Sequence, residues 1–568
     1  MSWLASRPVA DVTVASDVLD VLRSAGATTV FGLPGVHNLP FWGSTAGAPV
    51  VVRHEQAAAY AADGWARRSG ALGAAVVTTG PGATNALTGF GEAAAAGSPI
   101  VLVASEIPQR LRRPGRLRGV LHESRDQAAL FAPLAKTVFT PRTPDETAVA
   151  IREAVAVALT PPRGPVYVDV PADVLGQAAG PVPPAAGSTS SAADRAPTRA
   201  PDDGRHGHAP GAGAPDRTDA LVRALEGRAV VVWAGRGALD APSETTELAR
   251  TLGAPLVTSF HARGLPGALD VPPHEPEVAA LIGSADVLLA VGGDLDGMHT
   301  RNWTMPRPPV LATVDAAPPA DPPEWDADVA VHGPLPGVLA ALVHAVGTRR
   351  PWSGKDVSDQ VRSRLADDPS CADALALLSS VDAVAARGAA LVCDMAVAGY
   401  WTGGYARPAG PRGLAYPVGW GTLGFGLPAA IGVASTGVPT LAVCGDGGLA
   451  MALGELATIV QERLPVVVLV VDDAGYGMLR FDIERSAGGA SIDTARAGHP
   501  HTGMDLHTPD LVALAAAFGM PATEVTGTGP ELTRALTGAV DAGGPHLVRV
   551  PARLMPPRTT SPRWNDTP

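Results

Sequence analysis

The chain has 568 residues, 46% of them hydrophobic and 17% charged, a composition that fits several compact globular domains with ample core. Its formal net charge is −12 and it has no dense Lys/Arg cluster interleaved with aromatics, so a nucleic-acid partner is not expected. Cys371, Cys393 and Cys444 lack disulfide or metal-ligand spacing, no apolar run reaches membrane-spanning length, and the N-terminus has no basic region followed by an apolar core; a reducing, cytoplasmic setting with no membrane partner is expected.

Residues 1–175 alternate Ala-rich helical segments with short β-branched strands at Val50 to Val52, Ala74 to Thr78, Ile100 to Val103 and Val166 to Val170, the βα alternation of a parallel sheet. RHEQAAAYAADGWARRSG (Arg53 to Gly70) takes a strand into a helix with Glu55 in the first turn, where a carboxylate also suits the helix dipole. TTGPGATNALTGFGEA (Thr78 to Ala93) is a second strand–turn–helix rich in Gly. The basic run Arg110 to Arg118 reads as a solvated loop. Residues 176–217 are rich in Ala, Pro, Gly, Ser and Thr and read as a linker, in which His206 and His208 have no partner ligands nearby.

A second α/β block, 218–348, has strands at Ala229 to Trp233, Pro255 to Thr258, Val287 to Val291 and Val310 to Val314. Its first turn, Ala234-Gly235-Arg236-Gly237, has too few glycines for a dinucleotide fingerprint, and Asp294, Asp296 and Asp315 at strand ends read as caps and turns. After a polar connector, 349–369, the third block, 370–568, opens with the strand Ala390 to Cys393 and DMAVAGYW, then YPVGWGTLGFGLPAAIG (Tyr416 to Gly432). Its centre is Leu441 to Leu479, which reads as strand, Gly-rich turn (Gly445-Asp446-Gly447-Gly448), helix, the β-branched strand Val466 to Val471, and the acidic turn Asp472-Asp473-Ala474-Gly475-Tyr476. A helix at Pro509 to Phe518, a strand at Pro545 to Val550 and an irregular tail, Pro556 to Trp564, close the chain.

The two turns of the third block point to a diphosphate held through a divalent ion. Small residues at a helix start let backbone N–H groups approach an anion, and adjacent parallel strands deliver both acidic turns to one sheet edge. Two carboxylates and a turn carbonyl are hard oxygen ligands of the kind Mg²⁺ takes together with phosphate oxygens.

These residues resemble the thiamin diphosphate motif of the acetolactate synthase and 2-oxo acid decarboxylase superfamily (benzoylformate decarboxylase-like), and the resemblance extends over nearly the whole chain. It implies three doubly wound parallel α/β domains: pyrimidine-binding (1–175), middle (218–348) and diphosphate-binding (370–568). It implies thiamin diphosphate and Mg²⁺, with metal ligands Asp446, Asp473 and the Gly475 carbonyl, and Gly445, Gly447, Gly448 and Tyr476 in the cofactor site. Glu55 falls on the activating glutamate, with Asn85 as a further cofactor contact, and Leu423 on the wedge that bends the cofactor, whose 4′-amino group would donate to the Gly421 carbonyl. The middle domain binds FAD in some members; here FAD is not predicted, though it is left open. In relatives the two cofactor-binding domains come from different subunits, so a homodimer is the expected minimum and a tetramer is possible.

Departures from the acetolactate synthase pattern bear on the reaction. Asp473 stands where Asn is commoner, Val397-Ala398 where those synthases carry Gln-His, and Glu106 near a position where they have Gln. His122-Glu123 replaces a Gln-Glu pair, and an imidazole there can move protons at neutral pH or simply sit in a surface loop. The expected function is decarboxylation of a 2-oxo acid through an enamine, followed by aldehyde release or ligation to a second carbonyl. The alternative is a non-catalytic, cofactor-binding paralogue serving as a regulatory or structural subunit.

Overall fold

The computed structural model describes residues 12–44, 46–113, 115–179, 214–293, 295–352, 356–486 and 503–559. These build three sheets in which every strand pairing is parallel. The first contains β1 (Phe31–Gly32), β2 (Val50–Val51), β3 (Gly73–Val77), β4 (Ile100–Glu106), β5 (Thr137–Phe139) and β6 (Val166–Pro171) in the order β2-β1-β3-β4-β6-β5. The second contains β7 (Val230–Ala234), β8 (Leu256–Thr258), β9 (Val287–Val291), β10 (Val310–Asp315) and β11 (Val329–His332), ordered β11-β10-β9-β7-β8. The third contains β12 (Ala390–Cys393), β13 (Leu414–Ala415), β14 (Thr440–Gly445), β15 (Val466–Asp472), β16 (Ala522–Glu524) and β17 (His546–Pro551), ordered β13-β12-β14-β15-β17-β16. In each sheet the second strand lies on one side of the first and the third on the other. The order therefore reverses beside the first strand, which opens a crevice at the carboxyl ends.

The β-branched runs form strands where expected, with ends shifted by a few residues at most. The strands not expected from sequence are short: β5, β11, β13 and β16 are edges, and β1 is only a Phe-Gly pair. Three segments are more helical than expected. Helix Ala214–Leu225 starts inside the stretch read as linker, because Leu221 and Leu225 are buried in the middle domain's core. Helix Val357–Ala366 occupies the connector and buries Val361 and Leu365. Helix Gly477–Ser486 follows the acidic turn, where the sequence reading placed no helix. Residues 180–213, including His206 and His208, and Asp294 lie outside the described residues.

The first and third sheets share one core. Helix Glu55–Ser69 packs on helix Gly426–Ala434 at backbone contact: a Cβ on Gly64 would lie 2.2 Å from the Ala429 carbonyl oxygen, and one on Gly432 1.9 Å from that of Ala61. Only glycine permits that approach. Arg67, on the same helix, is buried with Asp63 and Glu92, donating to Asp63 at 2.7 Å and to Glu92 at 2.9 Å. It also reaches the third block, donating to the Tyr416 carbonyl at 2.8 Å with its guanidinium 5.0 Å from the Phe425 ring centroid. Glu92 accepts a 3.0 Å bond from the Thr422 hydroxyl. Burial pushes the Glu92 carboxyl up, and Arg67 opposes that shift.

Arg67→Met should therefore leave two buried carboxylates without their cation, a loss of about 3–5 kcal/mol. Urea unfolding followed by tryptophan fluorescence should show the midpoint falling sharply. An unchanged midpoint would mean that the triad does not hold the domains together.

Candidate functional site

The third sheet reverses its order between β12 and β14, and the chemistry-bearing residues gather there. β14 ends at Gly445 and passes directly into helix Asp446–Ala450, while β15 ends at Asp472 with Asp473 next in the chain. The two adjacent aspartates divide their roles. Asp472 turns to the neighbouring strand and pairs with Arg549 at 2.7 Å, whereas Asp473 lines a cavity of about 150 Å³ together with Gly445, Asp446, Gly447, Gly448, Gly475, Tyr476 and Leu423. Gly421, two residues before Leu423, has φ +75°, a left-handed conformation that suits glycine. Val397 and Ala398 also line the cavity.

Asp446 is buried and its carboxylate accepts a 2.7 Å bond from the Thr508 hydroxyl. Burial raises the Asp473 carboxyl to about 6, with the Asp446 charge adding to the shift and Arg480 opposing it. Arg480, itself buried, donates to the Asp473 carbonyl at 3.0 Å, stands 3.6 Å from the Asp473 carboxylate and pairs with Asp505 at 2.8 Å. The Tyr476 N–H donates to Met504 and the Leu506 N–H to Ala474, so the segment around Met504 folds over the acidic turn. The Gly447-Gly448 backbone is open only for want of side chains: a Cβ there would lie 2.8 Å from the Tyr476 ring or 3.0 Å from the Asp394 carboxylate. Two carboxylates and a turn carbonyl beside bare N–H groups fit a divalent cation carrying phosphate oxygens.

Asp394, immediately after β12, was not singled out from sequence. It is 1% exposed and accepts N–H bonds from Met395 (2.7 Å), Gly424 (3.0 Å) and Gly426 (3.2 Å), which pins the backbone on the C-terminal side of Leu423. Burial raises its carboxyl to about 6 against those donors. An aspartate closing a buried strand was the available signal, but its partners lie in a segment remote in the chain.

A second group sits at the carboxyl edge of the first sheet. Glu55 opens helix Glu55–Ser69, is 7% exposed and accepts a 3.0 Å bond from the Asn85 side-chain amide. Buried Glu455, from the third block, accepts the N–H groups of Arg53 (2.9 Å) and His54 (3.1 Å), fixing the approach to Glu55. Half-buried His122 has φ +65° and lies against Gly80. Its ring meets that of His37 edge-on, a partner that sequence reading missed. Glu106 is buried, with its carboxylate accepting the Ile107 N–H and lying 3.8 Å from Arg112. Glu55, Asn85 and His122 are not among the described residues that line the Asp446–Asp473 cavity of the same chain.

Family models match three stretches: the thiamine pyrophosphate enzyme N-terminal binding domain at residues 12–130, the central domain at 218–342 and the C-terminal binding domain at 394–550. Among curated proteins, the chain is 32% identical to a "Probable 2-ketoarginine decarboxylase" of Pseudomonas aeruginosa, over 91% of this chain and 90% of that protein. It is 27% identical to a "Probable acetolactate synthase large subunit" of Methanocaldococcus jannaschii, over 95% and 93%. A solved thiamine diphosphate-dependent 4-hydroxybenzoylformate decarboxylase of Rhodococcus jostii shares the fold, with TM-score 0.72 and 23% identity over 96% of this chain and 99% of that one.

Asp394→Ala removes the acceptor for three backbone donors and should cost about 2 kcal/mol or more, since bonds to a charged acceptor are among the stronger ones. The check is the unfolding midpoint of the variant. A midpoint equal to wild type would mean that Asp394 does not brace the Leu423 segment.

Proposed function

Because the chain belongs to the thiamine pyrophosphate enzyme family, we propose that this 2-oxo acid decarboxylase/carboligase acts mainly as a decarboxylase that releases an aldehyde, with ligation to a second carbonyl as a competing outcome. When bound, thiamin diphosphate supplies the nucleophilic carbon and the temporary electron sink that the protein itself lacks. The observation that carries the reading is the convergence of Leu423, Asp446, Asp473 and Gly475 on one cavity. In this assignment the Asp446 and Asp473 carboxylates and the Gly475 carbonyl hold Mg²⁺, and N–H groups of the Gly445–Gly448 turn take phosphate oxygens. Leu423 and Tyr476, both lining the cavity, would hold the rest of the cofactor.

Glu55, oriented by Asn85 and by the Glu455-held backbone, would present its carboxyl to the pyrimidine ring of a bound cofactor and hold or move a proton there. The cavity and Glu55 are separate within one chain, which favours a site shared between two copies, a homodimer at least. The apolar Val397 and Ala398 line the cavity where acetolactate synthases carry polar residues, which favours release of aldehyde over a polar second acceptor. The similarity to a protein named for 2-ketoarginine makes guanidino-substituted 2-oxo acids natural candidates.

The test is to incubate the protein, thiamin diphosphate and Mg²⁺ with a panel of 2-oxo acids, including pyruvate, an aryl acid and a guanidino acid, and to identify products by mass spectrometry. Aldehyde and CO₂ are expected from at least one acid; 2-hydroxyketone or acetolactate as the main product would replace the decarboxylase assignment with the ligase one. Glu55→Gln should keep the cofactor bound and lower turnover by about 100-fold or more.

Metal retention should also depend on pH with a definite sign. The Asp473 carboxyl, raised to about 6, is a ligand only when ionised, so protons compete with Mg²⁺ as pH falls through that value. Equilibrium dialysis should find Mg²⁺ affinity nearly constant above pH 7 and falling steadily below about 6. An affinity unchanged down to pH 5 would remove Asp473 from the ligand set.

A further inference from the structure

The acidic turn after β15 is folded around Arg480, which stands near the start of helix Gly477–Ser486. Its side chain is 4% exposed and reaches back across the turn instead of out to solvent. The guanidinium donates to the Asp473 carbonyl at 3.0 Å and to the Ala474 carbonyl, and stands 3.6 Å from the Asp473 carboxylate. Two glycines make room for this arrangement. A Cβ on Gly475 would lie 1.8 Å from the Arg480 Nη2 atom, and one on Gly477 2.2 Å from the Asp473 Oδ2 atom. Ala474 between them has φ +53°, a left-handed conformation uncommon for a residue with a side chain, and bonds from Arg480 and the Leu506 N–H to its carbonyl hold it there.

The turn's carbonyls are thereby shared out. That of Asp472 accepts the Ala552 N–H at 3.1 Å, and those of Asp473 and Ala474 accept from Arg480. The next carbonyl, of Gly475, is the one assigned to the metal above. The charges are arranged as closely as the bonds. Asp446 and Asp473 put two carboxylates on one cavity, and a phosphate ligand brings more charge of the same sign into a place that burial partly shields from solvent. Arg480 is the stronger of two cations acting on the Asp473 carboxylate, Arg553 being the other, and Asp505 is a further carboxylate 2.8 Å from the same guanidinium. Arg480 is not among the described residues that line the cavity, so it acts through Asp473 and the turn.

We propose that Arg480 is a built-in counter-charge, which lets position 473 carry a carboxylate beside a diphosphate and makes Asp473 and Arg480 one unit in cofactor binding. This rests on the cofactor assignment above and adds a positioning residue to it. A carboxylate is a stronger ligand for Mg²⁺ than a neutral amide, but it repels phosphate oxygens that share the ion. Arg480 offsets that repulsion and leaves the ligand in place.

The test is a double-mutant cycle read as affinity for thiamin diphosphate, measured by calorimetric titration of the cofactor-free protein at saturating Mg²⁺. Arg480→Gln keeps N–H donors for the turn's carbonyls and removes the charge, and should weaken binding by about 30-fold. Adding Asp473→Asn to that variant should recover about tenfold, whereas Asp473→Asn alone should bring no gain. Losses that simply add in the double variant would overturn the counter-charge and leave the cofactor assignment standing. Arg480→Lys keeps the charge without the guanidinium's fork, and should stay within about threefold of wild type. A loss there as large as that expected for Arg480→Gln would overturn the proposal, even if urea unfolding showed Arg480→Gln itself to be unstable. If wild type bound no thiamin diphosphate with Mg²⁺ present, the cofactor assignment would fall, and the role of Arg480 with it.

Discussion

The buried cluster of Arg67, Asp63 and Glu92 is the constraint on which the geometry depends. One cation is shared between two carboxylates that burial keeps from solvent, so its position is set by charge as well as by packing. Its hydrogen bonds and ring contact to the third domain go to the segment between Tyr416 and Phe425, which contains Gly421 and Leu423. The Leu423 side of the cavity is therefore located by the first domain, although the cavity itself opens in the third. Asp394 completes the clamp from the other side by holding the N–H groups of Gly424 and Gly426.

The two halves of the proposed site obey the same topological rule. In each sheet the chain order reverses beside the first strand, and loops leaving the carboxyl ends on either side of that reversal diverge to leave a crevice. In the third sheet the crevice carries two carboxylates and bare glycine N–H groups; in the first it carries a carboxyl and two imidazoles. One edge offers hard oxygen ligands, the other groups that can gain or lose a proton.

Legibility in the sequence followed the range of the interactions involved. Val287–Val291 and Ala390–Cys393 were readable to the residue, because an uninterrupted β-branched or apolar run buried on both faces has few other uses. That Asp446 and Asp473 would meet at one sheet edge was readable because each sits at a turn closing one of two adjacent parallel strands, whereas Leu423 was named by resemblance alone. The choice of Asp473 over Asp472 came from the family resemblance alone, since its physical cause, the pairing of Asp472 with Arg549, lies in a neighbouring strand. His37 and Asp394 escaped for the same reason, as each owes its meaning to a residue far away in the chain. The helix beginning at Ala214 was hidden by the Pro- and Ala-rich composition that precedes it.

The close crossing at Gly64 and Gly432 bears on how such a chain can be taken apart. Three sheets with separate strand orders look like three interchangeable units, yet the helix that begins at Glu55 and the helix that follows Leu423 touch backbone to backbone, leaving no layer of side chains to adjust. A transplanted third domain would bring its acidic turns with it but leave behind the surface against which Tyr416 to Phe425 is shaped. Recombination between relatives should accordingly succeed at the borders of the middle sheet and fail between the outer two, which must be inherited as a matched set.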